Sequence, residues 1–145
     1  MKNIVLIDDD PFYVKIMGKK ITDWGYMVTS FHSVEEALPC LNNNLDLIIL
    51  DHNFEFHDKK GSDYIPLLKT HAQSSAVLYV SSETAPEVIN KSLSNGADMY
   101  ITKNENIYND LNQVIQKLIN QKNHSNFWSS NSHSSSNRCN SSSNF

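Results

Sequence analysis

Charged and hydroxyl side chains directly follow several apolar runs of this chain, and these are the residues whose types and spacing could perform chemistry. They are Asp8, Asp9 and Asp10, then Asp51, then Ser81 and Ser82, and finally Lys103. If the apolar runs are parallel strands, their carboxyl ends meet at one sheet edge, which is where open α/β sheets bind ligands. The spacing therefore predicts a polar site built from four strand ends.

Carboxylates crowded at one edge repel one another, by about 1 to 4 kcal/mol for a pair 4 Å apart. A hard divalent cation offsets that repulsion, and Mg²⁺ prefers carboxylate, carbonyl and water oxygens. The ammonium of Lys103 could balance a further part of the charge. An aspartate can also attack phosphorus and form an aspartyl phosphate while metal and lysine neutralise the transferring group. These residues together favour phosphoryl transfer.

The elements that must position these residues alternate between short apolar runs and helix-period segments, which is typical of a parallel sheet with crossover helices. The predicted strands are Ile4–Ile7, Tyr26–Phe31, Leu45–Leu50, Ala76–Val80 and Met99–Thr102. Helices are expected after Asp10-Pro11, after Ser33, from Gly61 to about Thr70, over Ala85–Ser94, and along a final stripe that contains Ile107, Leu111, Val114, Ile115 and Leu118. The prediction is a doubly wound (βα)5 fold of the flavodoxin-like type, a five-stranded parallel sheet with helices on both faces.

Local signals fix several of these helix ends. Asp10 before Pro11 is typical of an N-cap followed by proline at the first helical position, so Asp10 is assigned to capping and not to a metal. Ser33 and Glu36 have the spacing of a capping box. Pro39 lies inside the second helix, where it predicts a kink or an early end. Gly25 supplies a left-handed helix exit.

Composition bounds the organisation of the chain and its surroundings. Its 145 residues fit one domain, assigned to residues 1–121, and the Ser/Asn-rich residues 122–145 are expected to form a flexible tail. A net charge of −4 argues against a nucleic-acid partner. The first apolar run is too short for a signal core or a membrane span, so a cytoplasmic protein is expected. Two free thiols are expected at Cys40 and Cys139, since the latter lies in the tail.

The motifs of residues 3–121 resemble those of the two-component response-regulator receiver family. Leu-Ile-Asp-Asp-Asp-Pro at 6–11 resembles its first acidic motif, Leu-Asp-His-Asn at 50–53 its phosphoacceptor motif, and Gly-Ala-Asp-Met-Tyr-Ile-Thr-Lys at 96–103 its switch-aromatic and lysine segment. The resemblance implies these site residues: Asp51 as phosphoacceptor, Asp8, Asp9, Asp51 and the backbone carbonyl of Asn53 as ligands of Mg²⁺ or Mn²⁺, Ser81 as switch hydroxyl, Tyr100 as switch aromatic and Lys103 as phosphoryl contact.

The same resemblance implies a function and partners. A histidine kinase or histidine phosphotransfer protein would donate the phosphoryl group to Asp51, Ser81 would turn toward it, and Tyr100 would rotate into the space vacated. The surface of the fourth helix, fifth strand and fifth helix would then bind a downstream protein, as a population shift between two packings. Asn53 and Glu83 at the rate-tuning positions resemble the chemotaxis-type single-domain regulators.

Three departures from the family leave alternatives open. Asn104 follows Lys103 where the family usually has proline, the loop between Asp51 and Gly61 is about two residues longer than usual, and Ser82 stands beside the switch hydroxyl. A phosphorylation-independent interaction module is one alternative. An aspartate-nucleophile phosphatase of the haloacid-dehalogenase type is another, because Asp8 and Asp10 form an Asp-x-Asp pair.

Overall fold

Five short apolar runs form one parallel sheet in the computed structural model, which describes residues 1–51 and 59–126, with side chains up to residue 121. The strands are β1 (Asn3–Ile7), β2 (Met27–Phe31), β3 (Leu47–Asp51), β4 (Ala76–Ser81) and β5 (Met99–Thr102). Their order across the sheet is β2-β1-β3-β4-β5 and every neighbouring pair is parallel. This is the flavodoxin-like order, so the predicted fold class is confirmed.

Helices cover both faces of the sheet. They are α1 (Pro11–Asp23), α2 (Val34–Ala37), α3 (Ile65–His71), α4 (Pro86–Ser94) and α5 (Ile107–Asn126), with 3-10 turns at Leu38–Cys40 and Gly61–Tyr64. One core packs the buried side chains of α1 and α5 against the sheet, and a second core packs those of α2 and α3 against the other face. The central strand β3 is buried along its whole length, as its nearly continuous apolar sequence predicts.

Predicted helix ends are confirmed where a side chain satisfies a backbone donor. The carboxylate of Asp10 accepts a hydrogen bond from the backbone N–H of Phe12 at 3.0 Å, and Pro11 is the first residue of α1. The hydroxyl of Ser33 accepts from the N–H of Glu36 at 3.1 Å. Helix α2 then ends at Ala37 and gives way to the 3-10 turn that contains Pro39, as a proline inside a helix requires.

Some boundaries differ from the predictions. The segment expected to be helical from Gly61 begins as a 3-10 turn, and the α-helix starts only at Ile65. Helix α5 continues to Asn126, beyond the predicted domain end at 121. Cys40 is disulfide-bonded, so a free thiol there was a wrong expectation; Cys139 lies outside the described residues.

Membrane insertion was tested on the helices of the described residues. None of them has both the length and the apolar character that a bilayer span requires.

Candidate phosphoacceptor site

The predicted site residues that the structure describes lie at the carboxyl edge of the sheet. Strand β3 ends at Asp51, and Asp8 follows β1, its neighbour in the sheet. The backbone N–H of Asp8 donates to the carbonyl of Phe31 at 3.1 Å, which extends the ladder past the end of β1. Because strand order reverses between β1 and β3, these acids flank the point where such sheets bind ligands.

Three carboxylates converge at this edge. One oxygen from each of Asp8, Asp9 and Asp51 lies within 4.8 Å of the others. Asp8 is only 2% exposed and Asp51 only 6%, while Asp9 is partly exposed. The donor set consists of carboxylate oxygens, which is the chemistry that a hard divalent cation requires.

The side chain of Lys103 crosses to this cluster from the end of β5. Its Nζ lies 2.7 Å from Oδ1 of Asp51 and 3.0 Å from Oδ2 of Asp8. The backbone N–H of Lys103 donates to the carbonyl of Ser81 at 2.8 Å, which fixes the chain where the lysine leaves the sheet. Asn104 continues into the turn before α5, since its side chain accepts from the N–H of Asn106. The lysine therefore reaches both acids with asparagine in the place of proline.

Burial and charge perturb the two buried groups that face each other. Burial raises the pKa of Asp8 above its usual range, and the nearby Lys103 ammonium only partly offsets this effect. Burial alone would lower the pKa of Lys103, but the charge of Asp51 outweighs it, so the pKa of Lys103 is raised. Lys103 is therefore a cation at neutral pH, suited to stabilising negative charge that develops on a bound group.

Two predicted switch residues are connected through the backbone of Glu83. The Ser81 hydroxyl is buried and accepts a hydrogen bond from the N–H of Glu83 at 3.0 Å, whereas Ser82 is exposed. The hydroxyl of Tyr100 donates to the Glu83 carbonyl. Ser81 is thus the serine that lies inside the edge, and one residue connects it to Tyr100.

Asn53 was predicted to contribute a backbone carbonyl, and it lies outside the described residues. The same holds for the other residues of the loop from 52 to 58. Where the chain is described again, Gly61 packs on Asp51. A Cβ at Gly61 would overlap the Asp51 carbonyl oxygen and would lie 3.1 Å from the ring of Tyr79.

Sequence reasoning missed two aromatic residues beside the site. The ring of Tyr13 lies under the Lys103 ammonium, with 4.0 Å between Nζ and the ring centroid. Tyr79 is fully buried in β4, accepts from the N–H of Ser62 at 3.0 Å, and has its ring centroid 5.7 Å from that of Tyr100. The i, i+4 spacing of Tyr13 and Met17 was a signal that Tyr13 extends the buried stripe of α1.

Comparison with known proteins gives the class first. The family model described as "Response regulator receiver domain" matches residues 4–119, so the chain belongs to the response-regulator receiver family. The response regulator SaeR of Staphylococcus aureus is 27% identical over 103 residues, which are 71% of this chain and 44% of SaeR. The chain therefore matches less than half the length of this curated relative.

Solved structures show the same fold. A CheY-like receiver domain protein from Methanospirillum hungatei superposes with a TM-score of 0.77 at 23% identity, covering 86% of this chain and 98% of that one. A Burkholderia pseudomallei response regulator, solved with a phosphorylated aspartic acid, calcium ion and citrate, has a TM-score of 0.70 at 18% identity, covering 90% and 76%.

The phosphatase alternative loses its basis in both findings. The carboxylate of Asp10 caps α1 and takes no part in the three-carboxylate cluster, so the Asp-x-Asp pair does not form a site. The family match spans the acidic motif, Asp51 and Lys103 together.

Proposed function

We propose that the chain is a phosphorylation-dependent signalling switch of a two-component phosphorelay, with Asp51 as the phosphoacceptor. The observation that carries this proposal is the contact of Lys103 with both Asp51 and Asp8, which joins the ends of three strands. Asp51 is the carboxylate at the end of the central strand, where an incoming phosphoryl group would meet a fixed cation. The Burkholderia relative of the same fold carries a phosphorylated aspartic acid.

The three carboxylates fit a Mg²⁺ or Mn²⁺ site. Opposite ligands of Mg²⁺ stand about 4 Å apart, close to the span of the oxygens of Asp8, Asp9 and Asp51. The backbone carbonyl of Asn53 would supply a further oxygen. When bound, the cation would neutralise part of the charge on the transferring phosphoryl group.

The residues of this chain account for the transfer itself. An Asp51 oxygen attacks the phosphorus of a phosphohistidine, the new P–O bond forms as the P–N bond breaks, and the imidazole leaves with the bonding electron pair. Lys103 is 2.7 Å from Asp51 and can follow the charge onto a phosphoryl oxygen. The donor would be a histidine kinase or a histidine phosphotransfer protein.

The output would be a shift between two packings. The Ser81 hydroxyl now accepts from Glu83, and it would leave that partner to donate to a phosphoryl oxygen. Tyr100 is hydrogen-bonded to the same residue and packs on Tyr79, so the move at Ser81 changes its surroundings directly. The surface of α4, β5 and α5 would then bind a downstream protein.

This proposal extends to the organisation and location of the chain. Residues 1–121 would carry the phosphorylation chemistry, and residues 122–145 would not be needed for it. A cytoplasmic location fits a phosphoryl donor of the histidine-kinase type. Both points can be tested with the truncated chain in the assay below.

The experiment is phosphorylation by a small donor. The chain is incubated with Mg²⁺ and acetyl phosphate, or with beryllofluoride, and the adduct is measured by intact mass for wild type, Asp51→Asn and Asp8→Asn. We expect an adduct in wild type, none in Asp51→Asn and a reduced one in Asp8→Asn. Asp46→Asn, at the opposite sheet edge, is the matched control and should behave as wild type.

Two outcomes would reject the proposal. An adduct of undiminished yield in Asp51→Asn would place the acceptor elsewhere. A wild-type chain that forms no adduct while Mg²⁺ is present would favour the phosphorylation-independent module.

A further inference from the structure

Lys103 has three neighbours, and one of them is not a carboxylate. Its Nζ contacts Asp51 and Asp8 at 2.7 and 3.0 Å, and it stands 4.0 Å from the centroid of the Tyr13 ring. A lysine ammonium within about 6 Å of an aromatic face is attracted by the ring quadrupole, and more strongly where water is excluded. The Lys103 side chain is only 21% exposed, so this contact is largely shielded from water.

Among the described residues, Lys103 has the shortest of the three lysine–aromatic contacts. Lys20 lies 5.5 Å from the centroid of Tyr108, and Lys59 lies 5.7 Å from that of Tyr64. The separation at Tyr13 is more than 1 Å smaller than either. The Tyr13 contact therefore stands apart in geometry as well as in location.

The ring supplies a restraint that the two acids do not. A lysine stem has four flexible carbons, and its ammonium is a point charge without the fixed fork of arginine. Asp8 and Asp51 attract the ammonium from the strand ends, whereas Tyr13 approaches from helix α1. Three partners from three elements define a position in space where two would leave the stem free to swing.

The ring, and not the hydroxyl, is the part of Tyr13 that makes this contact. The Tyr13 hydroxyl is buried and has no hydrogen-bond partner within the described part of the chain. Phenylalanine would therefore keep the interaction, and leucine, of similar bulk, would lose it. This difference makes the role testable.

We propose that Tyr13 is a positioning residue that holds the Lys103 ammonium beside Asp51, and so sets how fast Asp51 accepts a phosphoryl group. The inference rests on the proposed function of Asp51. Tyr13 does not touch the phosphoryl group; it acts through Lys103.

Phosphorylation rates test the proposal. With Mg²⁺ and acetyl phosphate, we expect Tyr13→Leu to form the Asp51 adduct about tenfold more slowly than wild type, and Tyr13→Phe to stay within about twofold. Tyr26→Leu is the matched control, since Tyr26 is also a partly buried tyrosine packed on the same core but lies beyond the far end of α1. It should phosphorylate at the wild-type rate, and thermal unfolding of each variant verifies that it is folded.

A second measurement does not depend on phosphorylation. The aromatic ring should shift the NMR signals of the Lys103 ε-methylene protons upfield, and this shift should persist in Tyr13→Phe and vanish in Tyr13→Leu. A wild-type rate in folded Tyr13→Leu would overturn the proposal, as would a Tyr13→Phe variant as slow as Tyr13→Leu. A wild type without any adduct would reject the function of Asp51 and the rate effect with it, while the upfield shift would still establish the contact.

Discussion

The two ends of the sheet use the same side chain in opposite ways. At the amino end, the Asp46 carboxylate accepts from the N–H of Asn3 at 2.8 Å, and Asp98 accepts from the N–H of Val77 at 2.7 Å. Each acid there satisfies a backbone donor where a strand begins. At the carboxyl end, Asp8 and Asp51 approach each other and share one ammonium.

This difference separates stability from reactivity. A carboxylate that accepts a backbone hydrogen bond is stabilised in its charged form and stabilises the fold. Buried carboxylates placed close together raise the free energy of the folded state until a cation or a covalent partner relieves them. The amino end therefore holds the strands in place, while the carboxyl end keeps a cluster that gains from binding.

Steric freedom at the two ends gives the largest expected effect. Gly61→Ala should lower the free energy of unfolding by about 3 kcal/mol, because the new Cβ would overlap the Asp51 carbonyl oxygen, which is backbone and cannot give way. Urea unfolding with and without Mg²⁺ measures the loss.

Gly25→Ala is the matched control for this change at the amino end. Gly25 has φ of +98° with nothing within 4 Å of the position of its Cβ, so alanine there should cost only about 1 kcal/mol, from the backbone conformation alone. Equal losses at the two glycines would contradict the view that the chain is tightest where it meets Asp51.

Removing an acid from the amino end should be the next largest effect. Asp98→Ala should cost about 2 kcal/mol, because it removes the acceptor of the Val77 N–H and the partner of Lys69 at 2.7 Å. Chemical denaturation measures the loss, and the rate of Asp51 phosphorylation should stay unchanged. Asp23→Ala, which breaks an exposed pair with Lys19, is the control and should cost less than about 0.5 kcal/mol.

The comparison also shows what the sequence could predict. Apolar runs ending in charged residues place Asp8, Asp51 and Lys103 at one edge once the strands are parallel, and β5 was predicted with its exact bounds. The bonds of Asp46 and Asp98 were not predicted, because an acid before a strand has no local signal for which backbone donor it will meet. Those partners come from neighbouring strands, at sequence separations of 43 and 21 residues.

Helix rotation and polar helix ends were equally out of reach. Whether the Tyr13 ring faces Lys103 depends on how α1 packs against the end of β5, which periodicity alone does not fix. The last turn of α5 carries polar residues without an apolar stripe, so its extension to Asn126 had no hydrophobic signal. Asp10 was predictable because its partner lies two residues away.

Neutralising Asp8 should stabilise the metal-free protein, in contrast to the loss at Asp98. Burial is the largest influence on Asp8 and raises its pKa, so Asp8→Asn should raise the free energy of unfolding by up to about 1 kcal/mol in EDTA. Saturating Mg²⁺ should reverse the order, since a ligand at 100 times its Kd stabilises the wild type by about 2.7 kcal/mol. Thermal unfolding with EDTA and with Mg²⁺ checks both signs, and a destabilised Asp8→Asn in EDTA would contradict the strain at this edge.

The pH dependence of stability gives the finest comparison, between Asp8 and Asp63. The folded-state pKa of Asp8 is raised above the ordinary value of 3.8, so its contribution to stability is full below pH 3.8 and is lost as pH rises through the folded-state pKa. The Asp63 pKa is lowered by its hydrogen bond with Lys91 and that with the Lys60 N–H, so its contribution is present above pH 3.8 and is lost as pH falls through the folded-state pKa. The free energies of unfolding in EDTA, as wild type minus Asp8→Asn and wild type minus Asp63→Asn, should therefore change with pH in opposite directions. The Asp63 change should be the smaller, because that pair is partly exposed and screened by water. Two differences that rise together with pH would show that Asp8 is stabilised as an anion in the folded protein, and the contrast between the two ends of the sheet would then fail.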